Sequence, residues 1–189
     1  SLASQGAAKE LLTIYDYPYG SSFKVPKLVY ANTAASTAVT TTSSETAFDT
    51  NYTIPANALT AGSVIKVRFQ GIATATNSTD TLTIKLYIGG LTGTAIFTSS
   101  ATDATNNDLF AGEGVIVVRT VGSSGTFVAS GSYTKVEGAS GTATRVDFLT
   151  ASTAIDTTAT QLITASGTFS SNNAGNSARM DVFTVEIAN

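Results

Sequence analysis

From about Thr37 to the last residue, apolar side chains recur at every second position in short runs separated by clusters of Gly, Asn, Ser and Asp. Period two puts alternate residues on opposite sides of an extended backbone, so each run reads as a half-buried β-strand and not as a helix. In residues 63–70, Ile65, Val67 and Phe69 face one way and Lys66, Arg68 and Gln70 the other. In residues 81–88, Leu82, Ile84, Leu86 and Ile88 alternate with Thr83, Lys85 and Tyr87. The intervening Asn77-Ser78-Thr79-Asp80 predicts a turn that joins the two runs as a hairpin. Further runs at 94–98, 114–121, 125–136, 143–149, 161–169 and 177–187 complete the pattern. Regular short strands with Gly-rich turns predict an all-β antiparallel sandwich of jelly-roll type. Val115-Ile116-Val117-Val118 is apolar on both faces, which predicts a central strand or one covered by another subunit. In the last run, Phe183, Val185 and Ile187 are expected on one face, with Met180, Val182, Thr184 and Glu186 opposite.

Residues 1–34 are different. They hold four of the seven Tyr, at 15, 17, 19 and 30, together with Pro18, Pro26 and three Lys. Tyr-rich extended segments dock by burying rings while their hydroxyls reach polar partners. The division expected is therefore an N-terminal arm over 1–34, with contacts through Tyr15, Tyr17, Tyr19, Phe23 and Tyr30, followed by the sandwich over 35–189. The competing reading makes this stretch the first strand and loop of the same domain. Only residues 3–12 have helix-forming composition, and that is short for a helix standing alone. The opening SLASQGAAKELLTIYDY lacks the charged start and apolar core of a secretory leader.

Composition narrows the chemistry. The 189 residues contain no His, Cys or Trp, whereas Ser and Thr fill 54 positions. Constellations built on an imidazole or a thiolate are unavailable, so no catalytic, cofactor-binding or metal-ligating residue is assigned. Charged residues make up 12% of the chain, about half the usual share. A surface poor in charge and rich in hydroxyls suits packing against neighbours. With a net charge of −3 and scattered basic residues, nucleic acid is not expected as a partner. No apolar run approaches the roughly 20 residues that span a bilayer as a helix.

The remaining candidates have plainer readings. Asp147 and Asp181 follow Arg145 and Arg179 at i, i+2, which predicts ion pairs on one strand face more readily than a pair of hydrolytic carboxylates. Residues 103–108 with Glu113 collect oxygen ligands but lack calcium-loop spacing, and read as an Asx-rich turn. Tyr87 and Tyr133 are the strand aromatics that could stack on a sugar ring, with packing against cross-strand neighbours the plainer expectation. The formal glycosylation sequons at Asn51 and Asn77 receive no role.

Over Thr53-Ile54-Pro55-Ala56-Asn57-Ala58-Leu59-Thr60-Ala61-Gly62-Ser63-Val64-Ile65-Lys66-Val67-Arg68, the chain resembles β-sandwich structural proteins of tailed bacteriophages, in which such a turn leads into a strand. Thr81-Leu82-Thr83-Ile84-Lys85-Leu86-Tyr87-Ile88-Gly89-Gly90 and Ala174-Gly175-Asn176-Ser177-Ala178-Arg179-Met180-Asp181-Val182 resemble the same group, so the likeness covers roughly residues 50–189. These motifs specify turns and strands and carry no functional residue. The resemblance implies a non-enzymatic virion protein, commonly trimeric, that decorates or cements a capsid or forms part of a fibre. The expected partners are further copies of the chain and a major capsid or other virion protein. Low charge and the doubly apolar strand point to a homotrimer, with Val115, Val117 and Arg119 at the subunit interface. The alternative is a receptor- or glycan-binding tail-fibre tip using loops 103–111 and 170–176, which would require exposed aromatics beside those loops.

Overall fold

The computed structural model describes residues 24–189 apart from 76 and 78. Among them are thirteen strands and no helix: β1 (Lys27–Ala31), β2 (Val39–Thr40), β3 (Thr46–Ile54), β4 (Val64–Thr74), β5 (Thr81–Ile88), β6 (Thr94–Thr98), β7 (Thr102–Asp103), β8 (Asp108–Thr120), β9 (Gly125–Val136), β10 (Ala143–Leu149), β11 (Thr153–Ile155), β12 (Gln161–Phe169) and β13 (Ser177–Ala188). They form two antiparallel sheets. The large one runs β1-β13-β4-β8-β9-β10, with β2 added to β13 and β11 to β9; the small one runs β3-β12-β5-β6, with β7 added to β5.

Strands β1, β3, β4, β5, β6, β8, β12 and β13 pass between the sheets so that β1-β13-β4-β8 is matched by β3-β12-β5-β6. That is the strand order of a jelly roll. The β9–β10 hairpin then widens the large sheet by two strands beyond this frame. The inward positions of both sheets supply the core. Phe48 of the small sheet stacks on Phe110 of the large one, with ring centroids 6.2 Å apart. Two inward glycines make room for rings: a side-chain carbon at Gly71 would overlap the Phe110 ring, and one at Gly112 the Phe69 ring.

The turn in the 53–68 motif carries the chain from the small sheet to the large one. Asn57 and Gly62 have φ of 60° and 81°, the left-handed region that Asn and Gly tolerate best. Ser63, fully buried, accepts the Thr60 N–H and donates to Asn189 Oδ1 at 2.6 Å, tying the turn to the last residue.

Several expectations change. The runs at 63–70 and 81–88 are not a hairpin: β4 pairs with β13 and β8, whereas β5 pairs with β12 and β6, each in its own sheet. Alternation shows which residues turn inward but not which strand lies alongside. Met180 joins the core with Phe183, Val185 and Ile187 instead of facing away, because a bulge between Met180 and Val182 shifts the register by one residue. The boundary at 34/35 also moves. Lys27–Ala31 is the edge strand β1, paired with β13, and Tyr30 packs on Tyr52 and Phe183 with centroids 6.2 and 6.1 Å away. Tyr15, Tyr17, Tyr19, Phe23 and the helix-forming stretch at 3–12 lie outside the described residues.

Candidate functional site

No other described element covers the outward side of the large sheet, and its composition follows from register. One cross-sheet row reads Thr184, Arg68, Glu113, Ser132, Asp147; the next reads Val182, Gln70, Ala111, Thr134, Arg145. A third contains Glu186, Lys66, Val115, Ser130 and Leu149. Each residue is the outward member of its strand's alternation, so strands far apart in sequence build one continuous face.

Within this face the charges neutralise one another. Glu113 meets Lys66 at 3.4 Å and Arg68 Nε at 3.2 Å. Arg145 pairs with Asp147 at 2.9 Å and Arg179 with Asp181 at 3.0 Å, as the i, i+2 spacing predicts. Between the pairs lie hydroxyls and aliphatic groups. Val115 and Val117 are half-buried on the outward side of β8, and Arg119 is exposed beyond them. Strand β8 is central, with β4 on one side and β9 on the other. A groove of about 540 Å³ crosses β13, β4, β8 and β9 and is lined by Arg68, Gln70, Glu113, Ser132, Thr134 and Thr184 among others. The side chains of Gln70, Ser132, Thr134 and Thr184 make no hydrogen bond to another described residue.

Two carboxylates, Asp108 buried and Glu45 half-buried, lie elsewhere. Asp108 ion-pairs with Lys135 at 2.9 Å, and both side chains are shielded from solvent. Lys135 also donates to the Asp103 carbonyl, while Asp108 accepts from the Thr105 hydroxyl at 2.5 Å and from the Thr105 and Gly138 backbone N–H groups at 2.9 and 2.8 Å. Burial pushes the Asp108 carboxyl up, but these donors outweigh it and hold the group below the usual carboxylate range. Glu45 accepts from Tyr87 and Ser166 at 2.7 Å each and from Lys85 at 3.0 Å. Burial again opposes, and the three donors hold its carboxyl low. Fully paired and ionised, both carboxylates fasten connections to the sheets.

Tyr87 and Tyr133 are each 5% exposed. Tyr87 donates to Glu45 and Tyr133 lies against Phe97 at 5.1 Å, so neither offers a ring to a sugar. Loops 103–111 and 170–176 are brought to one end of the sandwich around Asp80, which accepts from Asn173 at 2.6 Å through its side chain and from Ala104 at 3.0 Å through its carbonyl. No exposed aromatic accompanies them among the described residues; Phe110 is buried, and 108–111 already belongs to β8. No group of three or more His, Cys, Asp or Glu placed to hold a metal occurs among the described residues. Sequence reasoning missed the groove and the Glu45 and Lys135 clusters. Outward alternation was the available signal for the groove, but assembling it requires the strand order.

No protein-family model matches the chain, and no curated protein matches it. Solved structures similar to it include a chain from the structure of infectious bursal disease virus, Gx strain, at 16% identity and TM-score 0.37, covering 89% of this chain and 34% of that one. The CBM2 module of the evolved Dit of Lactobacillus casei BL23 phage J-1 is similar at 12% identity and TM-score 0.38, covering 91% and 84%. Winged bean acidic lectin, in complex with methyl-α-D-galactose, is similar at 10% identity and TM-score 0.31, covering 76% and 78%. The chain thus spans about a third of the length of the infectious bursal disease virus chain. At such scores these likenesses assign no function.

Proposed function

We propose that this chain is a non-enzymatic structural protein of a virus particle, of the capsid decoration or cement type. It assembles as a homotrimer through the outward face of the large sheet around Val115, Val117 and Arg119. It attaches to a major capsid or other virion protein partly through the segment preceding β1. The observation that carries this reading is the outward face itself, which no other described element covers, where Lys66, Arg68, Arg145 and Arg179 are paired with acids and the centre of β8 presents Val115 and Val117. Such a face loses little on desolvation, and its hydroxyls offer hydrogen bonds across an interface. The test is to replace Val115 and Val117 together with Lys. The variant keeps its fold, because both side chains point away from the core, and light scattering shows trimers replaced by single chains. Wild-type chains that remain single at micromolar concentration, with no virion protein to bind, contradict the reading.

A second reading is supported by the groove. Unpartnered Gln70, Ser132, Thr134 and Thr184 beside Arg68 and Glu113 suit the hydroxyls of a saccharide. A saccharide that shifts the backbone resonances of these residues in wild type, but not in Arg68→Ala, would favour a receptor-binding role over a cementing one.

A further inference from the structure

Strand β10 stands apart from the other strands of the large sheet. It is the last in the order and, among the described residues, pairs only with β9. The small sheet ends at β6, whose Phe97 reaches Tyr133 and Phe148 at 5.1 and 5.0 Å. Beyond Phe148 the strand has little cover: Val146 is 39% exposed on the inward side and Leu149 80% on the outward side. It contains no Pro and no bulge, two of the devices by which edge strands are ordinarily protected from pairing, and its two charges, Arg145 and Asp147, are of opposite sign.

Its free hydrogen-bonding groups follow from the ladder. Glu137 N–H donates to the Thr142 carbonyl and Thr150 N–H to the Ala129 carbonyl, at 2.9 and 2.8 Å. The even-numbered residues therefore direct their N–H and C=O toward β9, and Ala143, Arg145, Asp147 and Leu149 direct theirs outward from the sheet. Only odd residues can then form the hydrogen-bonded pairs of a new antiparallel partner.

We infer that two copies of this chain pair β10 against β10 about a two-fold axis through Val146, joining their large sheets into one. In this register Arg145 lies opposite the other copy's Asp147, twice, and Ala143 lies opposite its Leu149, every pair being odd against odd. Shifting the axis to residue 145 sets Arg against Arg, and shifting it to 147 sets Asp against Asp. Like charges directly opposite destabilise a ladder and unlike charges stabilise it, so the two charges select one register among the three and hold it. Arg145 and Asp147 pair within one strand at 2.9 Å in the single chain, and the same groups exchange partners across the axis. This contact goes beyond the proposed trimer and uses different residues.

The chain lacks cysteine, so Val146→Cys places a single thiol on the axis. Facing residues at a non-hydrogen-bonded site lie about 4.5 Å apart between Cα atoms, within disulfide reach. Val146→Cys is expected to oxidise to a covalent dimer, whereas Ser123→Cys, in the exposed β8–β9 turn, stays uncrosslinked. Asp147→Lys should weaken association about tenfold, and exchanging the charges, Arg145→Asp with Asp147→Arg, should restore it; thermal melts confirm that each variant is folded. Solution mass separates this contact from the trimer. Both together give a mass in multiples of six copies, the edge alone two and the trimer alone three, and at chain concentrations between the wild-type and variant dissociation constants Asp147→Lys takes the mass back to three or to one. Val146→Cys that crosslinks no better than Ser123→Cys, or an Asp147→Lys mass equal to wild type, overturns the inference.

Discussion

The two sides of the large sheet are made by the same strands and do opposite things. Inward, Ile65, Val67, Phe69, Phe110, Ile116, Val118, Phe127 and Phe183 are almost wholly buried. Outward, their immediate neighbours Lys66, Arg68, Glu113, Val115, Val117 and Ser132 remain partly open and pair mainly with one another. The inward side therefore holds the chain together, and the outward side is where assembly is proposed. Changes made inward should be read in melting curves. Changes made outward should be read in particle mass.

The largest effects are expected inside. Phe110→Ala should cost about 3–5 kcal/mol in urea unfolding, because its ring lies against Phe48 and fills the place of a side chain at Gly71. Asp108→Asn should cost a comparable ~3–5 kcal/mol, since it leaves Lys135 charged and shielded from solvent. Replacing both partners, Asp108→Asn with Lys135→Met, should recover part of that loss. Gly112→Ala should cost about 1–3 kcal/mol through overlap with the Phe69 ring. If it costs nothing, the inward side is looser than described.

Acid sharpens the contrast next. Asp108 and Glu45 are held below their ordinary values in the folded chain. A lowered folded value contributes stability above the unfolded pKa, roughly 4, and that contribution is lost as pH falls through the lowered folded value. Melting temperature should therefore change little from pH 7 to about pH 5 on their account and drop below about pH 4. The drop should be shallower in Glu45→Gln. Smallest are the outward pairs. Arg145→Ala or Arg179→Ala should move stability by less than about 1 kcal/mol, as exposed pairs do.

Removing residues 1–23 completes the comparison between fold and attachment. It spares β1 and should leave the melting temperature unchanged while weakening attachment to virion partners. A deletion reaching residue 34 also removes the edge strand that carries Tyr30, and should lower stability measurably.

Which residues turn inward was legible in the sequence because strand alternation is local. The Ile65, Val67, Phe69 and Leu82, Ile84, Leu86 triplets are core residues as their spacing predicts. Strand neighbours were not legible, since β4 and β5 are adjacent in sequence but lie in different sheets. Met180 shows how one inserted residue defeats an alternation argument. The turn at 103–108 was visible in its Asx content, but its anchor was not, because Lys135 reaches Asp108 only through the β8–β9 ladder. The groove stayed hidden for the same reason: its lining residues come from four strands whose order appears only in the fold.

The outward face of the large sheet, around Val115 and Val117, is the proposed assembly surface. Light scattering on the full 189-residue chain, beside the variant with Lys at both positions, tests it most directly. Wild type is expected to have a mass in multiples of three chains, and the double substitution is expected to abolish the threefold association with no loss of fold. A wild-type mass of one chain or of two, or a trimer that survives both lysines, would overturn it.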